Sequence, residues 1–162
     1  MITTTSTKTT ETMVGMGQIA SAAPPDTMKA VVGSCIALSL YHPRLKKGVM
    51  AHIVLPDATG REEMPGKFAN TAVPRMLELL KELSAPASCV TAKLAGGANM
   101  FGSSGPLQIG VANIEAVTQA LRAAGVRITA QDVGGNRGRR VTFECECGAM
   151  TVESAGQPTK VL

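Results

Sequence analysis

Two crowded apolar runs, Ile36 to Tyr41 and Val49 to Leu55, stand on either side of the short polar link His42-Pro43-Arg44-Leu45-Lys46-Lys47. Runs of this length, flanked by Pro43, Gly48 and Pro56, are those of buried strands, and so short a link predicts an antiparallel hairpin. Pairing of that kind dictates which side chains share a face of the sheet. If Tyr41 faces Gly48, then Cys35, just ahead of the first strand, faces Val54. His52 becomes its diagonal neighbour on the same face, at roughly 7 to 8 Å backbone to backbone. A register slipped by two residues sets Cys35 and His52 face to face.

His52 interrupts an apolar run, where an imidazole costs free energy unless it has a partner or a task. Cys35 follows Gly33-Ser34, a turn that can expose a side chain and its amide. Taken singly, the two read as a buried structural thiol and a core histidine bonded to a carbonyl. Taken together, they read as chemistry. An imidazole that removes the proton from a thiol leaves an ion pair and a far better nucleophile, reactive well below the ordinary thiol pKa of about 8.5. The other histidine, His42, falls in the polar link and is expected to be solvated.

With 162 residues and 44% of them hydrophobic, the chain is long enough for one domain with a real core. Three Phe, one Tyr and no Trp make that core aliphatic, and they argue against single-stranded nucleic acid, whose bases stack on aromatic platforms. The net charge of +4 adds little to that case. The four cysteines are expected to be free thiols, because no apolar run reaches membrane-spanning length and the start lacks the apolar middle of a signal peptide. A cytoplasmic protein is expected.

Residues 1–12, rich in Thr, are expected to be a disordered tail, with a single domain over 13–153 and a second tail over 154–162. Strands are predicted over Met13 to Ala20, Met28 to Val32, the two hairpin runs, Cys89 to Leu94, Val126 to Val133, Val141 to Cys147 and Met150 to Val152. Amphipathic spacing predicts one helix from Lys67 to Leu83, bent at Pro74, and another from about Ile114 to a stop at Gly125. The class is α+β, with about seven strands and two long helices.

Three further features carry less. The stretch Gly97 to Ser104 has phosphate-loop glycine spacing but Ser103 where the lysine belongs. Gly96-Gly97 serves either a plain turn or a close backbone approach to the catalytic loop. Cys145 and Cys147, on one strand face, lack the remaining ligands zinc needs, so no metal or other cofactor is expected. The turn Arg137-Gly138-Arg139-Arg140 reads as solvated, with a docking contact as the alternative.

The motifs Gly33-Ser34-Cys35, Ala51-His52-Ile53-Val54-Leu55-Pro56, Gly96-Gly97-Ala98-Asn99-Met100-Phe101 and Asp132-Val133-Gly134-Gly135-Asn136-Arg137-Gly138-Arg139 occur in an order that resembles the CheD family of chemoreceptor glutamine deamidases. The likeness spans about Val14 to Val152. It implies a layered α/β/β sandwich, mostly antiparallel, that hydrolyses glutamine side chains to glutamate on the cytoplasmic helices of chemotaxis receptors. It also implies Cys35 as nucleophile, His52 as base and a CheC-like phosphatase as a partner. Backbone N–H groups near Ser34 and Cys35 are expected to hold the oxyanion. The family's third catalytic residue is a threonine six positions before the cysteine, where this chain has Lys29. Thr27, two residues earlier, is the candidate replacement; otherwise a dyad acts. Two other readings stand beside the deamidase: a binding module for a CheC-like phosphatase, and a thiol hydrolase or transglutaminase for other proteins.

Overall fold

The computed structural model describes residues 8–61, 63–100 and 108–162. Among them are ten strands and two α-helices: β1 (Glu11–Met13), β2 (Ile19–Ala22), β3 (Thr27–Val32), β4 (Ile36–His42), β5 (Lys47–Ile53), α1 (Ala69–Glu82), β6 (Thr91–Gly96), α2 (Ile109–Ala123), β7 (Arg127–Val133), β8 (Arg139–Glu144), β9 (Ala149–Glu153) and β10 (Lys160–Val161). One sheet has the order β2-β5-β4-β6-β7 and the other β1-β3-β8-β9-β10. Only β1–β3 and β6–β7 pair in parallel. The α+β sandwich expected from the sequence is the observed architecture.

Parity along the central hairpin explains the layering. Ile36, Leu38 and Leu40 of β4, with Val49, Ala51 and Ile53 of β5, meet Ala72, Val73, Met76 and Leu80 of α1 and Val117 and Leu121 of α2. The intervening Ala37, Tyr41 and Met50 point the other way, onto Met28, Ala30, Val141, Phe143 and Met150 of the second sheet. Every residue of β4 is buried, as a strand covered on both faces must be. Tyr41 is the one phenol in the chain. It donates its O–H to the Cys145 carbonyl at 2.6 Å, and its ring meets Phe143 edge-on at 5.4 Å.

Several boundaries differ from the sequence reading. The run Met13 to Ala20 is divided between two sheets, because the chain turns through Gly17 (φ 78°) between β1 and β2. Pairing begins at Glu11, inside the stretch taken as a tail, and Lys160 and Val161 add a strand to β9 where a patternless tail was expected. Residues 1–7 of the Thr-rich stretch lie outside the described residues. The strand expected to reach Cys147 stops at Glu144, so Cys145 and Cys147 lie in a turn, one buried and the other exposed. His42 is also buried: it pairs with Lys47 as the last rung of the hairpin, and its Nδ1 accepts the Leu45 N–H at 3.2 Å.

Candidate functional site

The hairpin takes the first of the registers read from the sequence, with Tyr41 opposite Gly48 and Ala37 opposite His52. Cys35 therefore sits one step beyond the ladder, diagonal to His52, on the face that looks into the layer between the sheets. It is half-buried and packs against that layer's cluster, whereas His52 is buried within reach of β1's exit, since its Nδ1 meets the Val14 carbonyl at 3.0 Å. A carbonyl can only accept, so Nδ1 carries the ring proton and Nε2 is left with its lone pair. That tautomer suits a base.

The loop bearing Cys35 is tied down at three successive carbonyls. Ala98 N–H donates to the Gly33 carbonyl at 3.0 Å, Asn113 Nδ2 to that of Ser34 at 3.0 Å, and Gly97 N–H to that of Cys35 at 2.9 Å. Asn113 also bonds the Val54 carbonyl at 2.9 Å, so this fully buried α2 side chain ties both arms of the hairpin's open end together. Its signal in the sequence is a polar residue on the Val117–Leu121 stripe, which the sequence reading passed over. With three carbonyls engaged inward, the N–H groups of Ser34 and Cys35 make no backbone bond among the described residues.

Gly96 is required where it stands. At φ 122° a Cβ would lie 2.1 Å from the Cys35 carbonyl oxygen and 3.1 Å from Val32 Cγ2. Of the two readings open for Gly96-Gly97, the close approach to the cysteine loop is the observed one. The continuation of that stretch, Phe101 to Ser104, lies outside the described residues.

No hydrogen bond joins the Cys35 sulfur to His52, and burial pushes the Cys35 thiol up from its ordinary value. The resting cysteine is thus a neutral thiol, not the thiolate of the ion pair expected from the register alone. Catalytic hydrogen bonds in ligand-free sites are often long and tighten once substrate is bound.

Lys29 and Thr27 do not join this pair. Met28, Ala30 and Val32 fill the layer between the sheets, so the alternate residues of β3 face outward. There Lys29 pairs with Glu11 at 3.2 Å. Thr27 Oγ1 is buried without a partner among the described residues, which is a penalty and not an aid. Thr27→Val keeps the shape and removes the orphaned hydroxyl; it is expected to leave turnover unchanged and to raise the thermal midpoint slightly. A tenfold fall in turnover on this substitution would restore Thr27 as an orienting residue.

Arg137, Gly138 and Arg140 of the arginine turn are exposed, as its solvated reading expects, and Arg139 alone departs from it. Arg139 is buried and ion-paired with Asp132 at 3.1 Å, while Arg137 reaches the Ala155 carbonyl. Among the described residues, no group of three or more His, Cys, Asp or Glu is placed to hold a metal ion.

The family model for CheD chemotactic sensory transduction matches residues 54–154, a span that opens just after His52. Relatives extend the likeness across the candidate pair. The chain is 41% identical over 145 residues to the chemoreceptor glutamine deamidase CheD of Thermotoga maritima, covering 89% of this chain and 92% of that one. It is 40% identical over 158 residues to the protein of Desulforamulus reducens named "probable chemoreceptor glutamine deamidase CheD", covering 94% and 95%. A protein of the same name from Symbiobacterium thermophilum is 40% identical over 152 residues, covering 89% and 92%.

Proposed function

This chain belongs to the CheD family, and from that premise we propose that it is a chemoreceptor glutamine deamidase whose nucleophile is Cys35 and whose base is His52. The observation that supports the assignment of residues is the hairpin register, which sets a half-buried thiol diagonal to an imidazole whose Nε2 is free to accept a proton.

In the reaction, the Cys35 sulfur bonds to the side-chain amide carbon of a receptor glutamine while its proton passes to His52 Nε2. The C–N bond then breaks, and the departing nitrogen takes that proton and leaves as ammonia. A thioester remains. Water adds to it, giving a proton to His52; the C–S bond breaks, the proton returns to the sulfur, and glutamate is released. The N–H groups of Ser34 and Cys35 stabilise the oxyanion of both tetrahedral intermediates. Burial suits this sequence, because a neutral thiol surrenders its proton only when a bound amide draws imidazole and sulfur together.

On this reading the substrate amide belongs to the cytoplasmic part of a receptor, and the protein acts in the cytoplasm. None of the described helices is long and apolar enough to cross a membrane. The test is to incubate the protein with a cytoplasmic receptor fragment, measure ammonia, and map glutamine-to-glutamate conversion by mass spectrometry. Stoichiometric ammonia and glutamate are expected. A fragment that binds without releasing ammonia would overturn the deamidase reading in favour of a binding module. Ammonia release accompanied by amine incorporation would favour a transglutaminase.

A further inference from the structure

We infer that Arg139, held by Asp132, is a positioning residue for the reactive cysteine and acts through the single peptide group that joins Gly96 to Gly97. The inference rests on Cys35 being the nucleophile.

Arg139 opens β8 in the sheet opposite the hairpin, yet its guanidinium crosses to the other sheet. Its Nη1 donates to the Gly96 carbonyl at 3.2 Å, its Nη2 to the Gly134 carbonyl at 2.8 Å, and its Nε to Asp132 Oδ2 at 3.1 Å. Gly134 N–H adds a second bond to the Gly96 carbonyl at 2.9 Å. That carbonyl belongs to the same peptide group as the Gly97 N–H, which holds the Cys35 carbonyl at 2.9 Å. A peptide group is planar, so its oxygen edge cannot tilt without moving its N–H edge. Hydrogen bonds accepted at the oxygen also polarise the group and make the N–H a stronger donor. The absence of a side chain at Gly96 completes the arrangement, because the Cys35 carbonyl rests against its Cα.

Asp132 aims the fork. Burial by itself would raise its carboxyl, but hydrogen bonds from Lys160 and Arg139 outweigh that and hold it below the usual carboxylate range, so it is ionised at neutral pH. The geometry needs arginine in particular. Three acceptors in different directions match a planar fork, whereas a lysine ammonium at the end of a flexible stem cannot meet all three.

The experiment compares wild type with Arg139→Lys, Asp132→Asn and Arg137→Ala, measuring kcat and KM for deamidation of the receptor fragment, thermal midpoints and amide hydrogen exchange at Gly97. Loosening of the cysteine loop is expected to lower kcat by about ten- to a hundredfold in Arg139→Lys, with KM within about twofold. Exchange at the Gly97 N–H should be at least about tenfold faster, and Arg137→Ala, whose guanidinium serves another loop, should match wild type. Asp132→Asn should repeat the kcat effect, and it carries the test alone if Arg139→Lys does not fold. Unchanged kcat in a folded Arg139→Lys, a loss confined to KM, or unchanged Gly97 exchange would overturn the inference. Failure of wild type to release ammonia would instead overturn the deamidase reading, while the exchange measurement would still decide whether the peptide group is held as inferred.

Discussion

Cys35→Ala is expected to abolish ammonia release, by about ten-thousandfold or more, while the thermal midpoint stays within a few degrees of wild type. The sulfur is half-buried at the edge of the layer between the sheets, so its loss removes little packing, but it removes the atom proposed to form the thioester. His52→Ala should lose nearly as much, because the two act as one unit and removing either disables the proton transfer. Cys89, Cys145 and Cys147 should tolerate alanine in the assay. Cys145 is the informative control: burial pushes its thiol up to about 11, so it is neutral and inert at the pH of the reaction. Normal turnover by Cys35→Ala, or loss of activity in a well-folded Cys145→Ala, would show that the site is misplaced.

Gly96→Ala should harm both fold and activity. An alanine there would have to hold φ near 122°, which costs a residue with a Cβ about 1 to 3 kcal/mol, and its methyl would meet the Cys35 carbonyl oxygen at 2.1 Å. Either β6 moves away from β4 or the cysteine loop shifts. A loss of about 3 kcal/mol corresponds to a fall in thermal midpoint of roughly 6 to 12 °C for a domain of this size. Displacement of the nucleophile by even about 1 Å should lower kcat by around a hundredfold. Gly125→Ala makes a useful comparison, because it shares the positive φ (72°) but would meet nothing within 4 Å. If the two alanine variants behave alike, the contact with Cys35 is unimportant and only backbone strain counts.

The parts of this molecule legible in its sequence are those decided by local pattern. Two apolar runs and a short link were enough to place Cys35 and His52 on one face, since a hairpin's register leaves few choices and every even slip preserves parity. The two helices announced themselves by the spacing of Met76 and Leu80, and of Val117 and Leu121. Edge strands β1 and β10 did not, because three and two residues carry no period, and their pairing depends on partners far along the chain. For Thr27 the strand pattern was already informative: Met28, Ala30 and Val32 take the inner face of β3, which leaves Thr27 on the face of Lys29. Arg139 was hidden for the opposite reason. Composition makes Arg137-Gly138-Arg139-Arg140 look like a solvated turn, yet Arg139 is in phase with the buried Val141 and Phe143, and only the arrival of β6 and β7 from the other sheet supplies its acceptors.

The solitary phenol of Tyr41 makes the molecule almost dark to an optical instrument. Without indole rings, the near-ultraviolet signal comes almost wholly from this one group, at the opposite end of β4 from the cysteine loop. Emission from a tryptophan-bearing receptor fragment would therefore be read against an empty background. Tyr41 itself is shut in, and burial, followed by the neighbouring Cys145, Cys147 and Glu146, pushes its ionisation above the ordinary phenol value. Its phenolate band in an alkaline titration is therefore expected above the ordinary phenol range.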